Sequence, residues 1–305
     1  MLALAERASK NEELTLDDQV VSAFAQVLND ETLTPAFREL ALMLPSEGYL
    51  AEQMPVSDPA AVHTARVFFG RRLATGLRER WLAVYEANRT PGEYRATPDD
   101  AGKRGLKNLA LAYLSQLDDP SRAIELASAQ YDAANNMTDR SAALSALLTA
   151  GASGSADTTV AEAALGDFYR RFEKEPLVID KWFALQATQR GGPKRNVLDI
   201  VRKLMQHPAF TLKNPNRARS LIFSFCGANP AQFHAADGSG YAFWAEQVIA
   251  LDAMNPQVAA RLARTLEQWR RYTPVLRDKA HAALEQVAQH VKSRDVREIV
   301  EKALG

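Results

Sequence analysis

The chain has 305 residues and a mass of 33.6 kDa, enough for one large domain or two ordinary ones. Lys plus Arg and Asp plus Glu each total 37, so the formal charge is zero. That balance argues against a nucleic-acid binder, which needs a cationic excess to neutralise phosphates, and against a polybasic membrane-surface protein.

The hydrophobic share is 47% and the charged share 24%, as in folded chains. Ala (52) and Leu (35) far outnumber Val (18) and Ile (6). Ala and Leu lose little on entering a helix, whereas β-branched residues favour strands, so an all-α fold is expected. The single cysteine, Cys226, rules out an internal disulfide framework and a multi-cysteine zinc site. Met1 to Lys10 has no basic region followed by an apolar core, and no run of about 18 apolar residues occurs. A cytoplasmic protein is the expectation.

Helices are predicted, in chain order, at 17–29, 35–44, 59–86, 98–117, 120–134, 139–150 and 157–174. They continue at 177–188, 195–206, 215–225, 239–252, 256–270, 274–290 and 293–303. Many starts carry a capping residue followed by proline: Thr34-Pro35, Asp58-Pro59, Thr97-Pro98, Asp119-Pro120, Asn214-Pro215, Asn229-Pro230, Asn255-Pro256 and Thr273-Pro274. The first residue accepts a hydrogen bond from an orphan N–H, and proline follows where its missing N–H costs nothing. Thr90-Pro91-Gly92 reads as a turn instead. Leu106, Leu109, Ala110, Tyr113, Leu114 and Leu117 keep the helical spacing, as do Val258, Leu262, Leu266 and Trp269. Medium helices with short connections pack as antiparallel neighbours in bundles or solenoids. No fixed-period signature recurs. Gly151 to Ala156 and Gly191-Gly192-Pro193 are the flexible stretches.

The chemistry of peptidases and hydrolases is missing from the residues. The histidines are His63, His207, His234, His281 and His290; none precedes Glu and no two lie three or four apart. A His-Glu-x-x-His zinc site therefore cannot form. No Gly-x-Ser-x-Gly elbow occurs, and Cys226, at the end of an apolar helix, reads as a buried hydrophobe. Asp237-Gly-Ser-Gly-Tyr241 lacks the Lys-Ser/Thr of a phosphate loop and reads as a tight turn before a helix. Arg217 and Arg219 lie in the first turns of the helix capped by Asn214, and Arg219 and Arg261 border apolar helix faces, where a guanidinium either forms an ordinary ion pair or holds a carboxylate bidentately.

The run Asn214-Pro-Asn-Arg-Ala-Arg-Ser-Leu221, with Phe225, Asn229-Pro230, Phe233-His234 and Asp237 to Tyr241, resembles the C-terminal helical domain of the bacterial aminopeptidase N family. So do Leu44-Pro-Ser-Glu47, Ala134-Asn-Asn-Met-Thr-Asp139, Asp180-Lys-Trp-Phe183 with Gln186-Ala187, Asn255-Pro-Gln-Val-Ala259 with Arg261, and Arg271-Tyr272. The stretches keep the family's order and spacing from about residue 17 to the end.

The resemblance implies a superhelix of antiparallel helix pairs, an irregular α-solenoid of HEAT/armadillo-like character, as one helical domain over residues 1–305. It implies a non-catalytic part of a zinc metallopeptidase that removes N-terminal residues from peptides. The family's His-Glu-x-x-His and Gly-x-Met-Glu-Asn motifs lie in an earlier catalytic domain and are absent here. The implied cofactor is therefore none in this chain and zinc in that catalytic domain. The implied partners are the N-terminal catalytic domains of the same protein and peptide substrates, with no nucleic acid and no membrane. The chain is expected to cap the active-site chamber and limit peptide access. Arg219 and Arg261 match family arginines that face that chamber, which makes them the expected substrate-channel residues. Such a cap would leave an apolar patch exposed near the N-terminal half. The competing reading is a free-standing α-solenoid that scaffolds another protein.

Overall fold

A computed structural model describes residues 1–152, 158–192 and 195–305. Its first half contains α1 (Leu2–Ser9), α2 (Asp18–Asn29), α3 (Pro35–Leu42), α4 (Glu47–Glu52), α5 (Pro59–Gly76), α6 (Arg78–Ala87), α7 (Pro98–Leu114), α8 (Ser121–Ala133) and α9 (Met137–Gly151). Then come α10 (Thr159–Phe172), α11 (Pro176–Ala187), α12 (Val197–Leu204), α13 (Pro215–Ala218), α14 (Ser224–Ala228), α15 (Pro230–Phe233), α16 (Ser239–Asp252), α17 (Pro256–Ala263), α18 (Pro274–His290) and α19 (Arg294–Leu304). Among the described residues there is no β-strand, as the composition predicts.

Many helices pack on their neighbours in sequence, α6 on α7, α8 on α9, α16 on α17 and α18 on α19, while α1 packs on α5 and α3 on α7. Their apolar faces join one core running from Leu4 to Ala303. All four tryptophans stitch this stack by donating an indole N–H to a backbone carbonyl of a neighbouring helix. Trp81 reaches Leu73 at 3.1 Å, Trp182 reaches Leu165 at 3.0 Å, Trp244 reaches Leu262 at 3.0 Å and Trp269 reaches Ala303 at 2.9 Å. Leu73, Leu262 and Ala303 lie in the last turns of their helices. Each buried indole N–H thereby finds a backbone acceptor.

The two ends of the stack also meet. Ser57 N–H donates to the Arg271 carbonyl at 2.7 Å, and Thr273 N–H donates to the Ser57 carbonyl at 3.2 Å. The Arg271 guanidinium holds the carbonyls of Glu52 at 2.9 Å and Met54 at 2.7 Å. α5 packs on α15 beside this clasp.

The caps at Thr34, Asp58, Thr97, Asn214 and Asn255 form as the sequence predicts. Two others do not. Thr273 makes no side-chain cap, and Asn229 turns its amide to the carbonyls of Ala187 and Gln189, both at 2.9 Å. The expected helix 59–86 is two helices, broken after Gly76, where a Cβ would stand 2.9 Å from Val21 Cγ1. Apolar spacing is helical on both sides of the break, so periodicity alone does not reveal it. The expected helix 215–225 contains a π-helical segment, Arg219–Phe223. The expected helix 256–270 gives way at Arg264 to two 3₁₀ turns. α1, α4 and α15 are additional; the last two have only six and four residues, too short for a period to show. Residue 157, most of the stretch 151–156, and Pro193 lie outside the described residues.

Candidate functional site

The helix that begins at the Asn214 cap carries Arg217 and Arg219, and the fold places them in different surroundings. Arg217, on α13, is buried; its Nη1 lies 2.9 Å from Asp180 Oδ1 of α11 and its guanidinium stacks 5.2 Å from the Phe183 ring. The Arg217–Asp180 contact is a charge contact without hydrogen-bond alignment, because the same Nη1 lacks a properly directed acceptor. Arg217 is therefore the intramolecular ion pair anticipated for one of these arginines.

Arg219 is exposed and donates to Asn216 Oδ1 at 3.2 Å. It opens the π-helical segment, where one extra residue per turn rotates the downstream residues by about 100°. Such insertions recur at functional positions in helical proteins. Arg261, on α17, is also exposed and borders a shallow depression of about 520 Å³ with Arg264, Asp295 and Glu298 of the neighbouring α19. Both arginines thus have guanidinium groups available to an external carboxylate. They stand on separate helices, and no hydrogen bond among the described residues links them.

The clasp between the chain ends encloses a cavity of about 270 Å³ lined by Glu47, Glu52, Arg264 and Arg271 among others. The Glu47 carboxylate is engaged by His63, whose Nδ1 lies 2.8 Å from its Oε1. Cys226 touches the same cavity but is a free, fully buried thiol pushed well above its ordinary pKa by desolvation. That environment suits a packed hydrophobe, not a nucleophile.

The remaining histidines are committed singly. His234 is buried against Tyr241, with Nδ1 2.7 Å from the phenol oxygen, and burial pushes its pKa down to about 3. The ring is neutral at physiological pH. His207 sits among Tyr169, Trp182 and Phe183, its pKa lowered by burial and by the charge of Arg217. His281 pairs with Glu285 at 3.5 Å, and His290 Nδ1 lies 2.7 Å from the Gln286 carbonyl. Among the described residues no three His, Cys, Asp or Glu side chains converge as a metal-binding group. Nor is any helix of the described residues long and apolar enough to cross a membrane.

Two features are not anticipated from the sequence. One is the clasp through Ser57 and Arg271, whose backbone hydrogen bonds leave no side-chain pattern. The other is a pair of buried cations on α7, Arg104 and Lys107, the second paired with Asp139 of α9. Lys107 and Arg104 fall among apolar positions of a regular helix, and that intrusion of cations into the apolar face is the one available signal.

The large exposed apolar side chains are concentrated toward the start of the chain. Of eleven among the described residues, six precede residue 57: Leu2, Phe37, Leu40, Met43, Tyr49 and Val56. Phe37, Leu40 and Met43 recur every three residues along α3 and its C-cap, 56%, 70% and 52% exposed.

Residues 1–305 match the family described as "Domain of unknown function (DUF3458_C) ARM repeats". The chain is 42% identical over 300 residues to aminopeptidase N of Escherichia coli K12, covering 98% of this chain and 33% of that protein. Aminopeptidase N of Caulobacter vibrioides is 38% identical over 290 residues, covering 95% and 32%. The solved structure of Legionella pneumophila aminopeptidase A in complex with aspartic acid superposes with a TM-score of 0.85 at 27% identity, over 99% of this chain and 35% of that one. The chain spans about a third of the length of these relatives. It belongs to the DUF3458_C family of ARM-repeat domains and corresponds to the C-terminal helical region of bacterial aminopeptidases N.

Proposed function

We propose that this chain is the non-catalytic cap of a zinc-dependent aminopeptidase N, a single helical domain that closes the active-site chamber and limits which peptides enter. The observation that carries the reading is the exposed stripe of Phe37, Leu40 and Met43 on α3. Scattered exposed apolar residues are ordinary, but a row of them on one helix marks a surface built for a partner. The relatives are about three times as long as their match to this chain, so their remaining domains are the natural occupant. A free-standing scaffold has no comparable feature in its favour.

Leu40→Asp tests the cap directly. Its side chain is 70% exposed, so the chain's own unfolding midpoint should stay unchanged. Affinity for the separately expressed catalytic region should fall about 10- to 100-fold, the worth of one buried leucine. Unchanged affinity would rule out this face as the docking surface.

The same reading places Arg219 and Arg261 toward the peptide, on the side away from the residue being removed. In the full-length enzyme, Arg219→Ala or Arg261→Ala should raise KM for short peptides about 10- to 150-fold. That is the cost of one charge-assisted hydrogen bond of roughly 1.5–3 kcal/mol. An amide substrate lacking a free carboxylate should be much less affected. Equal effects on both substrates would refute carboxylate recognition by these residues.

A further inference from the structure

The loop 88–97 joins α6 to α7 and is pinned by Asn135, whose Nδ2 donates to the Gly92 carbonyl at 2.9 Å. Gly92 itself has φ +89°, a conformation that a side chain would disfavour. A cavity of about 270 Å³ opens on each side of this loop. Two cations of α7, three residues apart and therefore on one helix face, line them: Arg104 the first and Lys107 the second, each 5% exposed.

The two differ in how their charge is met. Lys107 Nζ lies 2.9 Å from the buried Asp139 carboxylate. Arg104 has no carboxylate within ion-pair distance among the described residues. Its Nη1 donates to the Arg95 carbonyl at 3.2 Å and its guanidinium lies 4.8 Å from the centre of the Tyr94 ring. The closest candidate counter-charge, Asp100, is already taken by the Arg95 fork at 2.7 and 3.0 Å. The remaining N–H groups of Arg104 meet no protein acceptor. A guanidinium lining a cavity with no carboxylate of its own can take its counter-charge from a bound anion.

Arg89, Arg95, Lys103 and Arg104 line the first cavity with Glu93 and Asp100. Arg89 pairs with Glu86, Arg95 with Asp100 and Lys103 with Asp99, so Arg104 is the lining cation with no carboxylate partner among the described residues. Lys103, at the cavity mouth, is 37% exposed and pairs with Asp99 at 2.7 Å. We propose that the cavity between loop 88–97 and α7 is a binding site for a small oxyanion, with Arg104 as its buried anchor and Lys103 at its entrance. The planar fork of Arg104 suits the paired oxygens of either a phosphate or a carboxylate.

Calorimetric titration of the chain with inorganic phosphate and, separately, with citrate at constant ionic strength tests the site. Saturable one-to-one binding is expected; a response to phosphate alone assigns a phosphate group, and a response to citrate alone assigns carboxylates. Arg104→Gln should weaken the binding at least tenfold and Lys103→Ala about threefold. Absence of saturable binding by both anions, or an unchanged Kd in Arg104→Gln, overturns the proposal. If Arg104→Gln fails to fold, an unchanged Kd in Lys103→Ala overturns it equally.

Discussion

Asp139→Ala is expected to lower the unfolding free energy by about 3–5 kcal/mol, the range for breaking a buried ion pair from one side. The Asp139 side chain is 8% exposed and faces Lys107, 7% exposed, at 2.9 Å. Its oxygens also accept from Asn108 at 3.1 Å and Asn136 at 3.2 Å. Behind them Gln130 donates to Asn108 Oδ1 and to the Asp139 carbonyl, both at 2.9 Å, and accepts from the Tyr85 hydroxyl at 3.1 Å. The network ties α6, α7, α8 and α9 together at one point. Removing the carboxylate strands a buried ammonium and two amide donors, each of which needs a partner in a low-dielectric setting.

The size of the loss distinguishes this account from simple cavity formation. Lys107→Met together with Asp139→Leu removes both charges while keeping volume. The double variant should be more stable than Asp139→Ala, because no uncompensated charge remains. Urea unfolding of the wild type, the singles and the double closes the cycle. A loss below about 1 kcal/mol in Asp139→Ala, or no coupling across the cycle, would show that water reaches the pair and screens it.

The fold was legible where the signal is local. Thr34, Asp58, Thr97, Asn214 and Asn255 accept the expected capping bonds because a cap depends on three neighbouring residues. Asn229 carries the same Asn-Pro signature, yet its amide binds carbonyls of residues 187 and 189. A tertiary use of a capping residue cannot be seen in a window of four. The break after Gly76 and the π segment at Arg219 are hidden for a related reason. Both preserve an apolar spacing close to helical while changing which face comes next. Arg217 and Arg219, two residues apart, stand about 200° apart around the helix, which is why one is buried and the other exposed.

The candidate site was less legible than the fold. Nothing in the spacing of Arg219 and Arg261 distinguishes them from ordinary surface arginines; the family resemblance alone singles them out. On a solenoid, a side chain acquires a role from what lies opposite it, and the spacing along one helix does not carry that. The buried cluster on α7 shows the converse. Arg104 and Lys107 are conspicuous in the structure because burial makes their charges costly. In the sequence their only trace is a pair of cations among the apolar positions of one helix.

Gly240→Ala is expected to destabilise by more than about 3 kcal/mol, beyond the usual range for adding one methyl group to a core. A Cβ at residue 240 would stand 2.0 Å from the Phe233 carbonyl oxygen and 2.8 Å from its carbon. The obstacle is backbone, so no rotamer change relieves it. Phe233 is fully buried, packs edge-on against Phe225 and Tyr241, and gives its N–H to the Asn229 carbonyl at 2.9 Å. Shifting it would disturb α15, the start of α16 and the α5 contact that closes the stack. Gly227→Ala is the control: it sits in α14 with nothing within 4 Å of its Cβ position. That change should stabilise by about 0.5–1 kcal/mol through helix propensity and reduced unfolded-state entropy. Chemical denaturation of the two variants separates close approach from flexibility as the reason for glycine at 240. Equal midpoints would mean that the backbone gives way at Phe233. A large gap assigns the Asp237–Tyr241 turn its purpose: Gly238 supplies φ +80°, and Gly240 lets α16 pass directly beneath α15.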